Sequence, residues 1–284
     1  MKIYELESKF EDFKYFLEDK YLAPGSIKKY IVDVSQFIDY LKDNTNSDKE
    51  LLRSDVYAYR NLLFEKYKVT TANGKIISLN QFLKFVGIED FLIRQKRIQT
   101  KSNLNNVISI KEYQTLLRWA KKKNDHGKLY LVFRSLASTG MRVSELKHLT
   151  LRCVNKGYIE SMESKGKIKD IPLPGNLCKE LKSYCDEVGV TSLDVPVLQT
   201  RHGRPLDERY IWRVMREIGG KARIPLTHLH PHSLRHLFGK RYNEVYGDLS
   251  TLADILGHSS LQTTRIYTMS SVKEKRKQMD ELGL

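Results

Sequence analysis

Between residues 93 and 107 the apolar periodicity of this chain lapses. The stretch IRQKRIQTKSNLNNV has few apolar residues and carries Arg94, Lys96, Arg97 and Lys101, while amphipathic patterns run up to it and resume after it. A break of this kind disfavours one continuous core and predicts two domains, 1–100 and 101–284, joined by a basic linker. The length agrees, since 284 residues is about twice an average domain of roughly 150.

Hydrophobic residues make up 40% of the chain and charged residues 29%, enough to build sizeable cores and unlike a disordered composition. No apolar run approaches the roughly 18 residues that cross a bilayer, and the opening MKIYELESKFEDFKYFLEDKY is amphipathic where a secretory signal would be continuously apolar. Cys153, Cys178 and Cys185 form an odd set without C-x-x-C spacing, which argues against a disulfide framework or a thiolate zinc site. The expectation is a cytoplasmic protein without a membrane partner. Against 34 acidic residues stand 49 basic ones, and the excess is uneven: residues 1–100 hold 17 basic and 15 acidic, leaving 32 and 19 for the rest. Such asymmetry points to a polyanion, nucleic acid above all, met chiefly by the second domain.

In the first domain, residues 4–21 and 26–43 read as amphipathic helices, with further helical patterns around 50–67 and 70–86. Lys28 and Lys29 fall off the apolar stripe of the second helix and are candidate phosphate contacts, as are Arg94, Lys96 and Arg97 in the linker. The second domain opens with helices after Ile110 and near 129–138. A hairpin follows, in which GYIESMES and KIKDIPLP meet at Lys165 and Gly166. The fold class expected is mainly α with a small antiparallel β-sheet.

Three short stretches concentrate the chemistry. TGMRVSELKHL places Arg142 at a helix start; HPHSLRHLFG sets His232 and Arg235 three apart, on one helix face; LGHSSLQTTRIYT sets His258 nine residues before Tyr267. The histidines 228, 230, 232 and 236 include an H-x3-H spacing compatible with zinc, but no acidic or thiolate ligand accompanies them in sequence, so neither metal nor cofactor is expected.

In this order the three stretches resemble the tyrosine recombinases of the phage integrase family, from about residue 107 to 270, and LAPGSIKKYIVDVSQFIDYL resembles that family's helical core-binding domain. The resemblance implies a two-domain architecture with a SAM-like DNA-binding domain at 1–100 and a breaking-rejoining domain at 101–284. It implies a catalytic set of Arg142, Lys165, His232, Arg235 and His258, with Tyr267 as nucleophile and Glu145 in support. It further implies a homotetramer on two DNA sites, assembled by exchange of the C-terminal tail, 270–284.

The chemistry suits these residue types. Attack on a phosphodiester builds charge on the non-bridging oxygens, which planar, permanently charged guanidinium forks bind bidentately. Tyrosine, with an ordinary pKa of about 10, needs local help to act as nucleophile, here assigned to His232. A lysine at the hairpin tip can protonate the leaving 5′-oxygen. Lys165, Lys167 and Lys169 alternate along the hairpin, so Lys167 or Lys169 could be that acid while Lys165 binds phosphate, and all three are candidate DNA contacts. Religation by a second 5′-hydroxyl then needs neither ATP nor metal.

The function expected is site-specific recombination through a 3′-phosphotyrosyl link and a Holliday junction. The alternatives are a type IB-like topoisomerase or an architectural DNA-binding protein. No arm-binding domain precedes residue 1, which leans toward resolution of cointegrates or dimers over integration. Abundant Lys, Asn, Ile and Tyr suggest a bacterial, nucleoid-associated protein of a transposon or plasmid. The DNA site and any accessory factors are not legible.

Overall fold

The computed structural model describes residues 1–45, 48–97, 106–123, 125–164, 167–258, 260–268, 276 and 279–282, with backbone alone for 161–164, 167 and 168. The chain divides into two compact units, Met1–Thr100 and Lys101–Leu284.

The first unit comprises α1 (Ile3–Ser8), α2 (Phe10–Asp19), α3 (Pro24–Asn44), α4 (Arg53–Lys66) and α5 (Val69–Phe85). The helix expected over 4–21 is two helices, interrupted at Lys9. Backbone bonds from Ile3 N to Lys49 O and from Leu51 N to Met1 O fix the first turn to residues 49–51, so its direction is set by that pairing. Phe13, Phe37, Leu41, Ile76 and Phe82 fill the core. Within it Asp33 is buried, with Lys75 at 2.9 Å, Lys29 at 2.6 Å and the Ser78 hydroxyl at 2.8 Å. Burial alone would raise this carboxyl; the two lysines and the serine outweigh it and hold it below its usual range.

Asn80 exchanges both amide bonds with the backbone of Ile93, and Asn73 does the same with Lys96 one heptad earlier on α5. The start of the polar stretch is therefore an extended strap bonded to the first unit, with Ile93 buried and Arg94, Lys96 and Arg97 exposed. Lys28 is exposed as well, whereas the ammonium of Lys29 is committed to Asp33.

The second unit runs α6 (Ile110–Lys121), α7 (Lys128–Thr139), a 3-10 segment (Val143–His148) and α8 (Leu151–Lys156), then β1 (Tyr158–Ser164) and β2 (Lys167–Pro172). Next come α9 (Gly175–Val188), α10 (Glu208–Lys221), α11 (Pro231–Tyr246), α12 (Leu249–Leu256) and α13 (Leu261–Thr264), which passes into a 3-10 turn, Arg265–Thr268. Helix starts follow local chemistry: Ser109 and Glu112 form a reciprocal capping box on α6, and Asp207 and Asp248 cap α10 and α12.

The hairpin is antiparallel, pairing Ile159 with Ile171 and Met162 with Lys169, with an irregularity between the two pairs. Ile159, Lys169 and Ile171 are buried, so β2 turns a lysine toward the core together with an isoleucine. The main core joins Phe133 and Leu136 of α7, Leu149, Ile171, and Leu234 of α11.

Candidate active site

Three glycines set the positions of the site's side chains. Gly140 ends α7 in the left-handed region (φ +66°), and a Cβ there would lie 2.5 Å from the Phe238 ring and 2.8 Å from Leu256. Only glycine satisfies both demands, and the sharp exit from α7 delivers Arg142 to the start of the 3-10 segment. Gly257 (φ +62°) ends α12 beside the Lys169 side chain, which a Cβ would approach to 2.7 Å. Gly239 on α11 lies under the ring of Tyr267.

Around these turns the sequence-distant stretches converge. Arg235 is buried and donates through Nη1 to Gly140 O at 2.7 Å and through Nη2 to Leu256 O at 2.6 Å. Burial, with Arg142 adding repulsion, lowers its pKa to about 10, which still leaves it charged at neutral pH. Arg142 donates from Nη1 to Glu145 Oε1 at 2.8 Å and from Nη2 toward Gly257 O at 3.4 Å. Glu145 is buried; its Oε2 accepts from the Arg142 backbone N–H at 2.8 Å and from the Lys169 ammonium at 2.9 Å. Burial alone would raise the Glu145 carboxyl, but these donors outweigh it and hold it low. Burial lowers the Lys169 pKa against the pull of Glu145, and Arg235 and Arg142 lower it further.

His258 is half-buried, with Nδ1 2.8 Å from the Thr264 hydroxyl. Burial first, then Arg235, Arg142 and Lys169, push its pKa down to about 4, so the imidazole is neutral at physiological pH. Tyr267 is buried, with its hydroxyl 3.1 Å from His236 Nδ1. Burial raises its pKa to about 12 although Arg235 pulls the other way.

Of the sequence-derived set, Arg142, Glu145, Arg235 and His258 thus gather with Lys169 about the Gly140, Leu256 and Gly257 carbonyls, and Tyr267, in the 3-10 turn after α13, packs against α11 within the field of Arg235. His232 is on α11 as expected but exposed, and the histidine that contacts the Tyr267 hydroxyl is His236. Lys165 lies outside the described residues, and of Lys167 only the backbone is described. Lys169, a candidate DNA contact or general acid, is buried on Glu145 and Leu256 O. The remaining histidines have separate partners: His228 meets Glu112 at 3.2 Å, and His230 Nδ1 accepts from Ser233 N at the α11 start. Sequence reasoning missed His236, Thr264 and the role of Lys169; the signals available were H-x-x-R-H and the period-2 placement of Lys169 beside Ile171.

Two family descriptions match the chain: the phage integrase family over residues 106–274 and the phage integrase N-terminal SAM-like domain over residues 10–96. The tyrosine recombinase XerA of Pyrococcus furiosus is 27% identical over 281 residues, covering 96% of this chain and 93% of its own. The tyrosine recombinase XerD of Staphylococcus aureus is 27% identical over 294 residues, covering 97% and 98%. Among solved structures, the Tn1549 transposon integrase in complex with transposon right end DNA superposes with a TM-score of 0.73 at 15% identity, covering 100% of both chains, a likeness of fold. With both of its domains matched and relatives covered nearly end to end, the chain belongs to the phage integrase family and is a two-domain tyrosine recombinase.

Proposed function

We propose that the protein cuts each DNA strand by attack of the Tyr267 oxygen on the scissile phosphate, its phenolic proton passing to His232, expelling the 5′-oxygen and leaving a 3′-phosphotyrosyl link that a second 5′-hydroxyl reopens. The observation that carries this reading is the convergence of Arg142, Arg235 and His258 on the turns at Gly140 and Gly257, with Tyr267 packed against the helix that carries Arg235. Backbone carbonyls hold the arginines in place before any phosphate arrives, so the donors that stabilise the pentacoordinate phosphorane need little reorganisation. Two of the five N–H donors of Arg235 are taken by carbonyls. A phosphate that takes up the other donors would also raise the low pKa of His258 toward protonation, adding a charged donor only when DNA is bound.

Lys165 supplies the proton to the leaving oxygen in this scheme, and Lys28, Arg94, Lys96, Arg97 and Lys167 contact the DNA backbone. Lys29 and Lys169 act through their carboxylate partners, on Asp33 and Glu145. The work is done in the cytoplasm, on two recombination sites brought together by four protomers through tail exchange, and serves cointegrate or dimer resolution or movement of a bacterial mobile element.

The test is a nicked suicide substrate built from the host element's DNA, on which the wild type accumulates a covalent protein–DNA product and Tyr267→Phe binds equally but yields none. A covalent product from the phenylalanine variant places the nucleophile elsewhere. Relaxation of supercoils without site preference replaces recombination with a topoisomerase reading.

A further inference from the structure

Three residues on one stripe of α11 hold Tyr267. His236 Nδ1 lies 3.1 Å from its hydroxyl, and the two rings sit 5.8 Å apart, tilted by 54°. Gly239 is the floor under the ring: a Cβ there would come within 2.5 Å of Cζ, 2.6 Å of Cε1 and 2.8 Å of Cε2. The Asn243 amide donates to the Tyr267 backbone carbonyl at 3.2 Å. The spacing of three and then four residues puts all three on one helix face, so hydroxyl, ring and main chain of one tyrosine are each matched by a dedicated group.

We propose that His236, Gly239 and Asn243 form a seat for the nucleophile, with His236 the positioning residue that aims the Tyr267 oxygen. The inference rests on Tyr267 being the nucleophile. His236 is neutral, its pKa pushed down to about 4 by burial and then by His232, His230 and Arg235, and Tyr267 is a neutral phenol. The hydrogen bond between the phenol hydroxyl and Nδ1 fixes a torsion that a phenol in an apolar pocket would leave free. Because α11 also carries Arg235, the seat ties the attacking oxygen and a guanidinium to one rigid element. A hydroxyl held in register with the phosphate donors saves orientation entropy at the moment of attack.

The experiment uses the full-length protein and single-turnover cleavage of the suicide substrate. His236→Phe fills the volume and removes the hydrogen-bond partner; His236→Asn keeps a polar group near the Nδ1 position. We expect both to bind a half-site within about twofold of wild type, with His236→Phe slowed about tenfold or more and His236→Asn recovering most of that loss. Cleavage by His236→Phe at or above the wild-type rate overturns the seat, as does an asparagine variant as slow as the phenylalanine one. Should His236→Phe fail to fold, 15N-histidine spectra of the wild type and Tyr267→Phe decide instead. Loss of the phenol must move the His236 Nδ1 resonance, and an unmoved resonance overturns the proposal. Tyr267→Phe in the cleavage assay separates the two layers. A covalent product from it refutes the nucleophile, whereas an inert Tyr267→Phe beside a fully active His236→Phe refutes only the seat.

Discussion

The Lys169 ammonium and the Glu145 carboxylate meet at 2.9 Å with side chains only 5% and 3% exposed, joining the hairpin strand β2 to the segment that carries Arg142. An ion pair so buried gains little over an apolar pair of the same shape, yet removing one partner leaves the other charge uncompensated. Here the carboxylate also holds Arg142, so the pair couples the position of the hairpin to that of the guanidinium.

Lys169→Met is therefore expected to destabilise the second unit by about 3 kcal/mol, at the low end for a broken buried pair because Arg142 still neutralises Glu145. The check is urea unfolding at pH 7. The pH dependence has a definite sign: the folded Glu145 carboxyl titrates below its ordinary 4.5, so its contribution is full above that pH and lost as pH falls through the lower, folded value. Melting curves from pH 6 to pH 3 should show this loss. Glu145→Gln should start lower and fall less steeply with acid.

Arg235→Lys tests whether geometry or charge matters at the centre of the site. The guanidinium spans from Gly140 O to Leu256 O, and a single ammonium cannot hold both carbonyls while also facing a phosphate. Cleavage should fall by about 10²- to 10³-fold, with half-site binding nearly unchanged because most affinity comes from the many backbone contacts. Single-turnover rates within tenfold of wild type would mean that charge alone suffices there.

Much of this was legible in the sequence because it rests on local rules. The two domains follow from the lapse in periodicity, the hairpin from its β-like runs, and Arg142, Arg235 and Tyr267 from short motifs whose order carries the family resemblance. What was not legible depends on contacts between distant segments. Lys169 reads as one of three alternating lysines, and only the packing of β2 against Glu145 and Leu256 singles it out. His236 looks like a fourth histidine in a run until the turn after α13 lays Tyr267 across Gly239. The linker begins later than its composition suggests, because Asn73 and Asn80 bind 93–96 to α5, and side-chain amides one heptad apart give no apolar signal.

Lys165→Ala examines the proton donor. If Lys165 protonates the leaving 5′-oxygen, its loss should slow ordinary DNA far more than DNA carrying a 5′-bridging sulfur, a leaving group that needs no proton. Equal slowing on both substrates moves the acid elsewhere. Lys167 then becomes the first candidate, because the Lys169 ammonium is held by Glu145.

The last expectation concerns the segment after Tyr267. In the sequence, Val272, Met279 and Leu282 space a narrow apolar seam; Val272 lies outside the described residues, while Met279 and Leu282 are 69% and 68% exposed. Docking of this seam in a groove of a neighbouring protomer would cover both side chains. A head-to-tail exchange of that kind closes into a ring, which suits four protomers on two DNA sites. Truncation after Ser270 should accordingly leave half-site binding by one protomer within a few-fold of wild type while sharply reducing paired-site complexes and recombination. Gel-shift titrations with one and two sites measure both quantities on the same protein. If the truncated chain still assembles the paired-site complex at wild-type concentrations, the tail is an element of its own protomer and the exchange does not occur.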